Sequence, residues 1–418
     1  MDENKGKVNR RDEGNIIDLR PALEKKERAE RAEAKRLRKE ERPPFLRRML
    51  SLLLVLGIVL AAVLLTVYWD RINFDALRRA VSYWGAEQSE TGKMEPFVYD
   101  RGTDNQFADL GKHLAFVSNK EAVLYDYDGA VLFHKDLRMD TPALDTGGGV
   151  AVAYDIGGRD LIVFSEKGEK LSLELEEGLA LYSASLNRSG WLAVTSQKKS
   201  QKGCVAVYNA EMDKVFEFDS ASRFVTGAYV TEDCKYMVAQ TLGEENGLFA
   251  SEMAVYRLDS EEQYAEFSLE DAMVLEVGSV GGQTLCIAEN RAVVAATGGK
   301  VSATYSYAMP YLRDYSCEGD GFAALVMNRH RAGTSGKLVT IGNTGEAIAE
   351  LDLSEEVLDV SAAGRYLAVL YAERLVVYNK DLTEYAVSEQ TGEAESVCMR
   401  DDGAVWLISG GEVSLLLP

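Results

Sequence analysis

The sequence predicts an all-β chain: an eight-bladed β-propeller carried behind an N-terminal transmembrane helix and a charged helical cytoplasmic tail. Three observations lead there. A turn followed at once by a hydrophobic strand recurs eight times, at Gly111, Gly148, Gly190, Asp233, Gly282, Gly321, Gly364 and Gly403. These turns span 292 residues over seven intervals, a mean of about 42 and within the range of propeller blades. Most units hold four short runs of β-branched, aromatic or alternating residues, as in SASLN, WLAVTS, CVAVYN and KVFEFD. The first run is often poor in bulky residues (TPALD, SASLN, EVGSV, DVSAA), which suits strands crowding toward a central axis. Tandem sandwiches would repeat at a longer period of roughly 100 residues.

The elements follow in chain order. Residues 1–48 carry 16 Lys or Arg and 11 Asp or Glu, a net of +5. Within them, 22–42 is rich in Ala, Glu, Lys and Arg and reads as a solvated helix, its charge suited to an anionic inner leaflet. The motif NIIDLRP at 15–21 is a candidate contact for a cytoplasmic partner. Residues 49–69 contain no charge. As a helix they would cover ~31 Å, the thickness of a bilayer core. Arg47 and Arg48 before the run, and Tyr68 and Trp69 at its far end, place the N-terminus inside and an aromatic belt outside. The run lacks a small-x-small cleavage site and reads as a signal anchor in the lipid bilayer. The expected location is the cell membrane, single-pass, with the C-terminal domain extracytoplasmic.

Residues 70–94 form a stalk: a short helix capped by Asn73, with Phe74, Leu77, Val81 and Trp84 on one face, then a flexible linker over 85–93. Residues 95–418 are the propeller. Its last unit has only three strands, and PFVYD at 96–100 is expected to supply the fourth, which removes an exposed edge. The fifth unit is degenerate, so seven blades is the alternative count.

Several segments carry a resemblance: DALRRAVSYWG, EPFVYD, VAVAYDIGGRDLIVF, LNRSGWLAV, DGFAALVMNRHRAGTSGKLVTI and SAAGRYLAVLYAERLVVYN. Over roughly 45–418 the chain resembles an uncharacterised family of single-span bacterial proteins, mostly from anaerobic gram-positive bacteria, known only as a domain of unknown function. The resemblance implies a propeller with quinoprotein-like or WD-like repeats. It implies no activity and no functional residues.

Composition narrows the function. The whole chain is at −21, and residues 49–418 hold 30 basic against 56 acidic side chains, a net of −26. That balance speaks against nucleic acid as a partner. The three histidines, His113, His134 and His330, lie in different units without metal or triad spacing. No phosphate loop or nucleophile elbow occurs. Only Trp191 and Trp406 fall within the blades, and the vicinal cysteines often found beside a quinone are missing. The reading is therefore of no enzyme and no cofactor. Five cysteines in separate units argue against a disulfide framework.

Three hairpins, at 197–203, 241–251 and 328–336, are long and share one face. Lys198, Lys199, Lys202, Arg329, His330 and Arg331 on two of them form a candidate basic patch for an envelope protein or polyanionic ligand. The expected function is a membrane-anchored extracytoplasmic binding or assembly scaffold in the envelope. A sensor signalling through the tail is the alternative, and a quinone-type enzyme the third reading.

Overall fold

The structure, a computed structural model, describes residues 28–33, 44–67, 75, 78–79, 82–83, 89, 92–245, 247–269 and 271–418. The chain divides into two units, 1–74 and 75–418. In the first, residues 28–33 are helical and exposed, and helix α1 runs over Pro44–Val67. Arg47 and Arg48 lie on α1, whereas Tyr68, Trp69 and the 15–21 motif lie outside the described residues. The side chains described on α1 are those of 49–60, all exposed. Among the described residues, no helix is long and apolar enough to cross a membrane.

The second unit is a closed ring. Among the described residues its strands form eight antiparallel sheets of four. With strands named A to D from the centre outward, blades 1 to 7 occupy 106–136, 142–174, 181–220, 224–269, 274–306, 311–353 and 357–388. Blade 8 takes A, B and C from Ser396–Met399, Val405–Ile408 and Glu412–Leu416, and its D strand from Phe97–Val98. Phe97 faces Val413 and Val98 faces Glu412, so the N-terminal run closes the ring as the sequence suggests. The closure begins earlier than the sequence suggests. Lys93 bridges Leu416, the Met94 amide donates to the Leu415 carbonyl (2.9 Å), and the Leu417 amide donates to the Gly92 carbonyl (2.9 Å). Gly92 and Lys93 are therefore part of the closure, not of a free linker.

Burial explains the strand patterns. Strand B lies between neighbouring blades and is covered on both faces, so Val150–Asp155 and Phe322–Asn328 are buried throughout. Outer strands have one wet face and alternate, as in Val131–Asp136 and Ala347–Leu353. Each blade–blade junction has its own apolar core. One joins Leu114, Phe116 and Val123 of blade 1 to Trp406, Val413 and Leu415 of blade 8. The fifth unit, degenerate in sequence, is a complete four-stranded blade with Leu285, Ile287 and Val294 packed against Leu325 and Val339 of blade 6. The count is eight.

The repeated landmarks are turn chemistry. The seven A–B turn glycines adopt φ between 54° and 88°, and in blade 4 the position falls to Cys234 at φ 55°. The aromatic residue closing strand C coincides with a bulge at Tyr125, Phe164, Tyr208, Tyr256 and Tyr378. The polar residue after it opens the C–D turn, as where the Asn209 amide bonds the Asp213 carbonyl (3.0 Å). The 241–251 segment is the long hairpin the sequence suggests: Tyr236–Glu245 and Leu248–Arg257 stay paired out to Glu245 and Leu248.

Candidate functional site

An A strand pairs with strand B on one side only, which leaves its channel edge with open backbone donors. Side chains of the preceding blade satisfy them. Asp145 accepts from the Leu186 amide (2.8 Å), and Asp359 from the Val397 amide (2.8 Å). Ser316 accepts from the Ala362 amide (2.9 Å), and Ser361 from the Met399 amide (2.9 Å). Small residues on the first run thus do more than relieve crowding. Short acceptors there stitch one innermost strand to the next.

This stitching places acidic groups around a central channel. Two cavities, of about 370 and 610 Å³, share Asp145, Glu276 and Glu318 in their walls. Burial pushes the Asp145 carboxyl up to about 6, against hydrogen bonds from Leu186, Thr146 and Ser185 that favour its charged form. Burial, with the nearby Asp145 and Glu276 charges adding to it, pushes Glu318 up to about 8. Glu276 is raised by burial and then by Asp145, while a hydrogen bond with Tyr315 opposes the rise. Glu276 and Glu318 keep accessible surface although protein surrounds them.

Blades 1 and 8 meet through a buried polar group. The Trp406 indole donates to Asp109 (3.0 Å), and Arg400 lies 3.4 Å from Asp109 and 3.3 Å from Asp402. Burial raises Asp109 to about 7, opposed first by Arg400 and then by the indole. Arg400 also lies over the rings of Tyr83 and Trp406 (5.8 and 5.6 Å).

Two ends of the channel differ. At the A–B end, Arg188 of blade 3 reaches blade 6, pairs with Asp320 and donates to the carbonyls of Glu318 (2.9 Å) and Gly319 (3.2 Å). The stalk docks on that same end at blades 7 and 8. Arg79 is buried and donates to the Asp402 carbonyl (2.7 Å), the Tyr385 hydroxyl (2.8 Å) and the Pro418 backbone oxygen (2.7 Å). Arg78 pairs with Asp401 (3.0 Å), and Asp75 lies 3.3 Å from Arg365. Arg79 and Tyr83 are buried in this docking; the apolar stripe read from sequence, Phe74, Leu77, Val81 and Trp84, lies outside the described residues.

The basic patch is divided between blades 3 and 6, with blades 4 and 5 between. Lys198 is held by Glu217 (2.5 Å) and Asp219 (2.7 Å), and Lys199 by Glu176 (2.6 Å). Lys202 sits over the Phe224 ring (4.6 Å), and Arg331 over Tyr311 (5.9 Å). Arg329 and His330 are exposed on the 329–335 loop. The pairing at Lys198 also accounts for the grouping of Cys204, Glu217 and Asp219 that metal-ligand spacing picks out among the described residues. An ammonium group holds the carboxylates there, and burial pushes the Cys204 thiol up to about 12. Cys204, Cys234, Cys286, Cys317 and Cys398 are all free thiols.

The channel carboxylates escaped sequence reasoning, although a signal exists. The first runs QFADL, PALDTG, VLEVGSV, YLRDYSCEG and VLDVSAA each embed an acidic residue among small ones.

Comparison with known proteins decides the family. The model of a "Family of unknown function (DUF5711)" matches residues 90–414. The chain belongs to this family. Among curated proteins no relative matches it. Solved structures share the fold. The C-terminal WD40 domain of Sif2 has 13% identity and a TM-score of 0.52, covering 74% of this chain and 93% of that one. A eukaryotic initiation factor has 10% identity and a TM-score of 0.50, covering 79% and 87%. BamB from Moraxella catarrhalis has 13% identity and a TM-score of 0.48, covering 77% and 96%. At these identities the likeness is one of architecture alone.

Proposed function

We propose that the chain is a membrane-anchored scaffold whose extracytoplasmic propeller binds or assembles partner proteins in the bacterial envelope. The observation that carries this reading is the way the ring is held. The segment just after the uncharged 49–69 run is not a loose tether at its ring end. Asp75, Arg78 and Arg79 bind the ring at blades 7 and 8, and residues 92–98 close it. Attachment on the A–B side leaves the B–C face of the ring for partners, which suits a platform. The charge split supports the placement, with +5 before the apolar run and basic residues directly ahead of it.

The test is carbonate extraction of native membranes, combined with protease accessibility of a C-terminal tag in intact protoplasts. The expected result is a pelleted protein whose tag is cleaved from outside. Release by carbonate, or a tag protected until lysis, overturns the reading.

A further inference from the structure

The B–C end of the channel has a different chemistry from the bridged A–B end. Its cavity of about 610 Å³ is walled without a single Lys, Arg or His. Glu276 and Glu318 are among its walls. Arg188 donates to the Glu318 backbone carbonyl (2.9 Å), and its charge opposes the rise of the Glu318 carboxyl without outweighing burial and the neighbouring acids. The rim, by contrast, is apolar. Leu242, Met273 and Leu275 line it, and Met273 and Leu275 are 45% and 50% exposed. Phe249, 68% exposed, stands further out on the long hairpin of blade 4, opposite Glu244. Exposed apolar residues around a cleft commonly mark an interaction site.

Charge and shape together select the occupant. Carboxylates that raise one another's proton affinity create a potential that a cation relieves. The channel carboxylates do not form a ligand grouping close enough for one metal ion among the described residues. A small polyamine would leave the apolar collar uncovered. A long basic side chain matches both parts, because its methylene stem covers apolar surface while its head reaches the acids. Arginine also presents a planar fork of donors to carboxylates.

We propose that the B–C mouth docks a partner protein that inserts an arginine or lysine, flanked by apolar residues, toward Glu276 and Glu318. This rests on the scaffold reading and names the chemistry of its partner.

The probe is a fluorescein-labelled synthetic peptide with an arginine between two leucines, titrated by anisotropy against the full chain in nanodiscs. Its citrulline analogue, of equal shape and no charge, is the control. The arginine peptide should bind at least tenfold more tightly. Glu318→Gln should erase most of that difference, and Leu275→Ser should weaken both peptides several-fold. Asp381→Asn, on an outer turn, should change nothing. Circular dichroism confirms folding, and Glu276→Gln gives a second reading should Glu318→Gln misfold.

Equal affinity for the two peptides overturns the proposal. So does an unaltered arginine preference in both glutamine variants. Spermidine competing equally well in wild type and Leu275→Ser would show a small-cation site and overturn it too, as would preference for polyglutamate. A purified envelope partner that cross-links only to the outer strands would sink the channel site and leave the scaffold reading standing. Peptide binding as expected, with a carbonate-soluble protein, would do the reverse.

Discussion

Arg79 gives the sharpest test of how the ring is held. Its guanidinium joins the Asp402 carbonyl on the blade 8 turn, the Tyr385 hydroxyl on blade 7 and the backbone oxygen of Pro418. Replacing it by alanine strands the Asp402 carbonyl in a buried position, whereas the other two acceptors have partial access to water. A hydrogen bond from a charged donor is worth about 1.5–3 kcal/mol, and an orphaned buried acceptor costs about 1–3 kcal/mol. Counting one full and two partial losses gives about 3–5 kcal/mol. Unfolding entropy of about 2.1 cal/mol/K per residue gives ~0.7 kcal/mol/K for a ring of roughly 320 residues. Arg79→Ala should therefore lower Tm by about 4–7 °C in thermal unfolding of the full chain. Arg79→Lys should recover less than half of the loss, because one ammonium cannot reach three separated acceptors. Hydrogen exchange should quicken first at the Met94, Tyr99 and Leu417 amides, which bond across the closure. A Tm change under about 1 °C, with exchange at those amides unaltered, would refute the idea that the stalk latches the ring.

Other consequences are equally concrete. Asp145, Asp314 and Glu318 have folded-state proton affinities raised to about 6, 6 and 8, all above their unfolded values, chiefly by burial. Between the two values the folded ring binds more protons than the unfolded chain, so stability falls as pH rises from about 4 to 8. Tm should be higher near pH 5 than near pH 8.5, and Glu318→Gln should flatten the slope; a wild-type Tm that rises over this window contradicts it. Asp359→Ala should cost about 1–3 kcal/mol by freeing the Val397 amide, with exchange at Val397 rising more than at Leu407, and equal rises would point to global loosening instead. Trp406→Phe should lower stability by about 1–3 kcal/mol and raise the Asp109 carboxyl further, read by its carbon-13 shift against pH.

Much of the fold is legible in the chain because its causes are local. A hairpin needs a left-handed residue at its turn, so glycines at a spacing of about 42 mark each A–B hairpin wherever the blade sits. A strand covered on both faces needs a continuous apolar run, and VAVAYD and FAALVMN show one. The missing fourth strand of the last unit pointed to PFVYD, since an open edge must find a partner. Blade 5 was legible only as a weak copy, because its turns and strand residues depart from the common pattern although its packing does not.

The candidate site was far less legible. Glu276 and Glu318 belong to different blades, and no spacing rule sets them beside one another. Lys198 and Lys199 look like free cations until Glu217, Asp219 and Glu176 are brought alongside. Nothing in the stalk sequence marks Arg79 as a buried charge; it is buried where three backbone and side-chain acceptors converge on it from over 300 residues away. By itself the sequence determined the period, the strand chemistry, the ring closure and the separation of basic tail from acidic domain, since each follows from neighbours along the chain. Only the tertiary structure decided which acids share one channel, which cations are already paired and which mouth stays open, because those depend on contacts between blades that the chain reaches one full repeat or more later.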